Sequence, residues 1–369
     1  VVITGIGLVT SLGLDRASTW SNLGSGVSGA RWLEIAGFAG FPVGWDRPMA
    51  ADADPALEFL IRAADEALAD SGVRESGLDP ERAATLIGLS KGGVRSLIQA
   101  SAMVRSGRPD DEKLAQTWMR SWPSSGASLL ASRYGFLGPC VAPVAACATG
   151  LVAALQGADL IRRGACDVAI VGGSDASLEP LLLAAFRRMK ALARVDDDPK
   201  QAVRPWDADR SGFLVGEGGG VMILERLDHA RARGATVYAE LAGGSLGSDA
   251  FHETGLDPDP SGLARVLARA LDSAGLRPAD IDAVNVHGTA TRSNDPLECL
   301  ALRQTFGPEA DRLACSSNKA QIGHLLGAAG SAELAIAGLM VHKGFIPPTL
   351  NLDRPDADCD LDGTPKVGR

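Results

Sequence analysis

Aromatic side chains are scarce in this chain: nine Phe, six Trp and two Tyr make up 5% of 369 residues. A core cannot be assembled around large rings, so it has to come from close packing of aliphatic residues, Ala and the 44 glycines. Cysteine is sparse too. The six thiols, Cys140, Cys147, Cys166, Cys299, Cys315 and Cys359, contain no C-x-x-C pair. That scatter argues against a disulfide framework and for reduced thiols in a cytoplasmic setting. Positive charge is short: 36 Lys and Arg stand against 45 Asp and Glu, a net −9, with no long basic run. Nucleic acid is therefore not the expected partner. The most apolar long segment, Ile322–Val341, carries His324 and Glu333. Ionisable groups are expensive in lipid, so it reads as a buried core helix and not as a membrane span.

Several familiar motifs are missing or misplaced. GIGLVT at Gly5 ends on Thr10 with no clear helix after it, and GEGGG precedes a strand, the wrong order for a phosphate-cradling loop. His252-Glu253 is not H-E-x-x-H, and the His and Cys residues show no metal-ligand spacing. No G-x-S-x-G elbow occurs. The opening VVITGIGLVTSLG has neither a basic flank nor a cleavage site and reads as a buried strand and turn. The lack of an initiator Met suggests a trimmed start.

What is present is alternation of short apolar strands with helices. Strands are expected at 1–3, 84–89, 140–146, 167–171 and 220–224, and helices at 56–70, 111–122, 125–134 and 149–163. The cycle then restarts, with strands at 238–245, 281–286 and 313–316 and helices at 262–274, 295–306 and 322–342. This order predicts a layered α/β fold of two similar halves, 1–234 and 235–369.

Three stretches stand out chemically. VAPVAACATG sets Cys147 between a strand and a helix start, where unpaired N–H groups and the helix dipole would lower the thiol pKa and hold an oxyanion. A lone cysteine is more often a small buried hydrophobe, and Cys140, Cys166 and Cys315 keep that reading. VNVHGTATRSNDPLE places His287 at a strand exit, with Thr289 and Thr291 after it and Asp295 and Glu298 on the following helix. SSNKAQIGHLLGAAGSAE carries Lys319, His324 and Glu333. With only five histidines in the chain, two in such loops are informative, whereas His229 and His342 read as structural.

Together, ACATG, HGTATRSNDPLE and NKAQIGHLLGAAGSAE resemble the motifs of the elongating β-ketoacyl-[acyl-carrier-protein] synthases of the thiolase superfamily. RPWDADRSGFLVGEGGGVMILE and SDAFHETGLDPDP match family segments around the active-site cavity. The resemblance covers nearly the whole chain. It implies a thiolase-like fold of two pseudo-symmetric halves in an α-β-α-β-α arrangement. It also implies a Cys147/His287/His324 triad supported by Lys319 and Glu333, with Asp295 and Glu298 in an interior network. Thr289 and Thr291 would face a phosphopantetheine arm, and Phe186 and Phe213 would line the acyl pocket. Ala290 replaces a frequent Gly and is expected to be tolerated.

The activity so implied is decarboxylative condensation of a Cys-bound acyl chain with malonyl on an acyl carrier protein, in a fatty-acid or polyketide pathway. No cofactor or metal is expected beyond the carrier's own phosphopantetheine, and the protein should form a homodimer or a ketosynthase heterodimer. Arg187, Arg188, Lys190 and Arg194 are the candidate carrier-docking patch on an acidic chain. The rival reading is a non-catalytic heterodimer partner of the chain-length-factor kind, against which Cys147 and both histidines count. The family continues past this chain's last residue with a Gly-rich segment, so a trimmed end is expected as well.

Overall fold

Side chains that alternate along the strands decide how the layers stack. The computed structural model describes residues 1–44, 46, 53–364 and 367–369. Its first part runs β1 (Val2–Val9), α1 (Arg16–Gly24), β2 (Arg31–Trp32), β3 (Ala39–Gly40), α2 (Pro55–Ser71), β4 (Ala83–Gly88) and α3 (Val94–Arg105). There follow α4 (Leu114–Arg120), α5 (Ser125–Tyr134), β5 (Cys140–Val141), α6 (Thr149–Arg162), β6 (Val168–Asp175), α7 (Pro180–Arg188) and β7 (Gly218–Glu225). The remainder is α8 (Leu227–Ala232), β8 (Ala239–Glu240), α9 (Ser261–Ala274), β9 (Ala283–Asn285) and α10 (Asn294–Phe306). It closes with β10 (Ala314–Ser316), α11 (Lys319–Ile322) and α12 (Ala329–Lys343).

Among the described residues six strands pair in the order β5-β4-β6-β7-β1-β8, with β4 parallel to β5 and β6, and β7 antiparallel to both β6 and β1. Val168, Ile170, Val221 and Ile223 point to one face and meet Phe59, Leu60, Ala63 and Ala67 of α2. Ala169, Val171, Met222 and Leu224 point to the other, against Ala154 and Ala158 of α6 and Ala332 and Ile336 of α12. Period-2 burial on both faces is what a sheet covered on both sides requires. Beyond α6 and α12 lies the parallel pair β9–β10, packed through Cys315, Val286 and Leu313 on Leu302 and Phe306 of α10 and on Leu267 and Leu271 of α9. The order helix, sheet, helix, sheet, helix is the expected layering.

The central helices approach unusually closely. A Cβ on Gly150 would lie 2.5 Å from Ser331 Cβ, and one on Gly330 would lie 2.9 Å from Leu151 Cβ and from Leu151 N. The sequence repeats around this contact. A left-handed residue (Ala146, φ 47°; Leu326, φ 49°) opens a 3-10 turn (Ala146–Ala148; Leu326–Ala328), which leads into α6 or α12. Gly327 thus stands in the second half where Cys147 stands in the first.

Several expected elements change length for local reasons. The first strand is longer than expected, because Gly5 and Gly7 continue β1 beneath α2. The strand expected at 140–146 is only two residues, and that expected at 238–245 shrinks to β8. The helix expected over 322–342 is broken: Gly323 (φ 77°) ends α11, and His324 instead bridges Val215 as extended backbone. Helices α1, α3, α7 and α8 and the β2–β3 pair were not anticipated. Among the described residues no helix is long and apolar enough to cross a membrane.

Filling the α6–α12 contact should be costly. Gly150→Val forces Cβ into Ser331 backbone and side chain, and overpacking of this kind costs about 1–3 kcal/mol. A lowered urea midpoint is the expected result.

Candidate active site

Cys147 sits in the 3-10 turn between β5 and α6. Ala146 on its N-terminal side is left-handed, which aims the following residue out of the turn; Thr149 braces the bend by donating its hydroxyl to Ala146 O (2.7 Å) and accepting Ala145 N–H (2.9 Å). His324 is placed by strand-like bonds to the first half: its N–H donates to Leu214 O (3.0 Å) and its carbonyl accepts Gly216 N–H (3.0 Å). His287 follows β9, where Glu298 accepts both His287 N–H (2.6 Å) and Gly288 N–H (2.8 Å). These three independent supports bring Cys147 Sγ to 3.1 Å from His324 Nε2. The His287 and His324 rings meet edge to face, centroids 5.2 Å apart.

The tautomer of His324 follows from its other nitrogen. Leu326 N–H donates to Nδ1 (3.3 Å), so Nδ1 carries the lone pair and Nε2 the proton. The Nε2–H then points at Cys147 Sγ. The Sγ and imidazole nitrogens of the three residues lie within 4.8 Å of one another, a spacing a transition metal could span. The nitrogen facing the thiol has no free lone pair, however, so the set as arranged donates hydrogen bonds and does not fit a metal.

Burial holds both imidazoles neutral. Desolvation first, then the Lys319 ammonium, depress His287 to about 3 and His324 well below its ordinary value. Lys319, wholly buried at the start of α11, is ion-paired with Glu333 of α12. Burial pushes the Glu333 carboxyl up while the ammonium against it pulls back.

Cys147 corrects the sequence-based expectation. Burial raises its thiol above the usual value, and Lys319 and Lys91 offset only part of that rise. Its turn precedes α6 instead of beginning it, and a half-buried thiolate loses more hydration than the expected depression allowed for. The local stabiliser of the thiolate is therefore the Nε2–H of His324. Cys140 departs from the buried reading as well: it is exposed on β5, whereas Cys166, Cys299, Cys315 and Cys359 are buried.

The other expected residues fall into two groups. Phe213 packs edge to face on His324 (5.0 Å) and Phe186 on Phe213 (5.7 Å), forming an apolar wall with Leu183, Val215 and Leu326. Asp295 and Glu298 lie on the buried face of α10, behind the His287 loop. Glu298 is raised to about 7 by burial, partly offset by the Gly288 and His287 N–H groups; Asp295 is also raised by burial and accepts Trp206 N–H (2.9 Å). The hydroxyls of Thr289 and Thr291 meet at 2.9 Å, and Thr291 Oγ1 accepts Asn294 N–H at the start of α10. The SDAFHETGLDPDP segment at 248–260, expected around the cavity, is largely at the surface, where His252 Nδ1 accepts Thr254 and Gly255 N–H groups. Ala290 adopts φ 60° and is fully buried, a left-handed position that explains why Gly is comfortable there.

Missed in the sequence was Arg210, 2% exposed, which donates from Nε to Thr291 O (3.1 Å) and from a terminal nitrogen to Asp356 (2.5 Å). So was the Lys91–Asp175 pair (2.7 Å) beside the His324 turn. A Lys three residues past a buried strand, and an acid closing another, were the available signals.

Two family profiles match the chain: the beta-ketoacyl synthase N-terminal domain over residues 34–230 and its C-terminal domain over 238–353. A putative polyketide beta-ketoacyl synthase 1 of Streptomyces cyaneus is 37% identical over all of this chain and 92% of its own length. The 3-oxoacyl-[acyl-carrier-protein] synthase 2 of Coxiella burnetii is 36% identical with the same coverage. A solved structure of a type II polyketide synthase acyl-carrier protein in complex with its ketosynthase, bound to the hexaketide, contains a chain that superposes with a TM-score of 0.92. That chain is 31% identical, and the match covers 100% of this chain and 92% of that one.

Two measurements test these local forces. His324 is neutral in the folded protein but titrates near 6.5 when unfolded, so the unfolded state takes up its proton first as the pH falls. The His324 contribution to stability should decline below about pH 6.5, by up to ~1.4 kcal/mol per pH unit, and is read as the difference in pH slope between wild type and His324→Gln in urea melts. Ala290→Gly should stabilise the fold by about 1 kcal/mol in the same assay, through relief of left-handed strain.

Proposed function

The chain belongs to the β-ketoacyl synthase family, and we propose that it elongates carrier-bound acyl chains by decarboxylative Claisen condensation, with Cys147 as nucleophile and His287 and His324 as donors to the developing oxyanion. The observation that carries this reading is the convergence of Cys147 Sγ, 3.1 Å from His324 Nε2, with the His287 ring set edge to face against the His324 ring.

The Cys147 thiolate attacks the carbonyl of an acyl-carrier thioester; the carrier thiol leaves, and the acyl group remains as a thioester on Sγ. Malonyl on a second carrier then loses carbon dioxide, and the electron pair of the broken C–C bond becomes an enolate. Two neutral imidazoles suit this step: each presents an N–H to the thioester oxygen as negative charge develops. The enolate carbon attacks acyl-Cys147, the thiolate leaves, and a 3-oxoacyl carrier results. Lys319 and Glu333 set the field in which the histidines stay neutral, and Glu298 fixes the backbone of the His287 loop. Thr289 and Thr291 are assigned to the pantetheine arm, and Phe186 and Phe213 to the acyl wall. A non-catalytic partner role gains nothing from this convergence.

We place the enzyme in the cytoplasm, a reading supported by six free thiols. We also divide its halves at 234/235, between α8 ending at Ala232 and β8 beginning at Ala239. For carrier docking we favour the surface at the end of α7, where Arg187, Arg188, Lys190 and Arg194 are all exposed. Arg187 also stacks over the Phe38 ring (3.7 Å), so Arg188 and Arg194 are the cleaner probes.

Cys147→Ala should abolish acyl loading in intact-mass assays. His287→Ala or His324→Ala should slow labelled carbon dioxide release from malonyl carrier by ~10²–10³ while Cys147 acylation falls much less. Unchanged decarboxylation in both variants would remove the two-histidine mechanism. Arg188→Glu with Arg194→Glu should raise the carrier KM several-fold and weaken its salt dependence; an unaltered KM would assign docking to another face.

A further inference from the structure

Asp175 ends β6, is 4% exposed and takes no part in the chemistry described above. One oxygen, Oδ2, accepts from Ser90 Oγ (2.9 Å), Lys91 Nζ (2.7 Å) and Gly327 N–H (3.1 Å), and Oδ1 accepts from Ser177 Oγ. Topology explains the convergence. β4 and β6 are parallel neighbours, so Ser90 and Lys91, just past β4, share an edge with the end of β6. The 3-10 turn of the second half packs onto that edge. A Cβ on Gly327 would lie 2.6 Å from Ser90 Oγ and 3.0 Å from Asp175 Oδ2, so hydroxyl and carboxylate press directly on its backbone.

That turn is what orients His324. Leu326 is left-handed without being glycine (φ 49°), a conformation that persists only where neighbours enforce it. Its N–H is the donor to His324 Nδ1, and the next N–H, of Gly327, is the one Asp175 holds. A carboxylate so placed fixes two consecutive peptide units. With the Leu326 N–H held against Nδ1, the ring proton stays on Nε2, facing Cys147. Lys91 pairs with this buried carboxylate and supplies the opposite charge beside it.

We propose that Asp175, with Lys91 as its counter-ion, is a positioning residue that holds the Leu326–Gly327 turn and thereby keeps His324 in the Nε2–H tautomer facing Cys147. This deepens the two-histidine reading and rests on it only for the kinetic consequence.

The test separates hydrogen-bond acceptance from charge. Asp175→Asn with Lys91→Met is charge-balanced and keeps a carbonyl for Gly327 N–H; Asp175→Ala with Lys91→Met is equally balanced but has no acceptor. In ring-¹⁵N-labelled protein, wild type and the Asn/Met variant should show His324 as a single Nε2–H tautomer, and the Ala/Met variant a mixture. Carbon dioxide release should fall by ~10² in the Ala/Met variant and by no more than ~10-fold in the Asn/Met variant, with Cys147 acylation less affected in both. A retained tautomer and rate in a folded Ala/Met variant would overturn the proposal. So would an Nδ1–H tautomer in the unmodified protein, a measurement that stands even if that variant fails to fold. If the tautomer shifts as expected while His324→Ala leaves decarboxylation intact, the positioning role holds and the two-histidine mechanism fails.

Discussion

The contact between α6 and α12 is the constraint on which the site depends. Two helices from different halves can bring their N-terminal turns together only if their backbones nearly touch, and Gly150 and Gly330 supply the missing side chains. Each turn opens with a left-handed residue, Ala146 or Leu326, so each throws its next residues toward the contact and not along the helix. The halves then diverge in chemistry. One turn presents a thiol; the other presents Gly327, whose N–H goes to Asp175, and leaves the imidazole two residues before the turn to face that thiol. The cost of left-handed backbone is accepted where the surrounding packing can hold it.

Electrostatics around this contact follow from burial more than from any single charge. His287 and His324 are neutral because burial strips a charged imidazole of its hydration, and the Lys319 ammonium nearby disfavours the charge further. The same burial raises Cys147, so the thiolate depends on a nearby N–H donor, and the edge-to-face pairing of the rings keeps that donor close. Negative charge lies one layer further out. Glu298, Asp295 and Asp175 accept backbone N–H groups and so act on loop geometry, whereas Glu333 pairs with the Lys319 side chain.

Much of the site was legible because its chemistry is packed into short segments. Cys147, His287, Lys319, His324 and Glu333 sit in three runs whose residue types are costly to bury without purpose. Less legible was the geometry of Ile322–Val341. Its continuous hydrophobicity predicts one helix, but burial on every side satisfies an apolar run equally well in a broken path. Only the extended first-half segment at Leu214–Gly216, distant in sequence, offers the backbone partners that pull His324 out of the helix. Cys140 misled for the opposite reason: a thiol in an apolar sequence reads as core, yet β5 lies at the edge of the sheet.

The sequence by itself determined the alternation of strands and helices, the fold class that follows from it and which residue types are the candidate reactive groups, since periodicity and residue type are local properties. Tertiary structure alone decided which nitrogen of His324 carries its proton, how burial shifts the Cys147 thiol, and that Asp175 and Lys91 reach the turn beside them. Those outcomes depend on distances between segments far apart in the chain, 177 residues in the case of Cys147 and His324, and no local pattern encodes a distance that exists only once two helices have met.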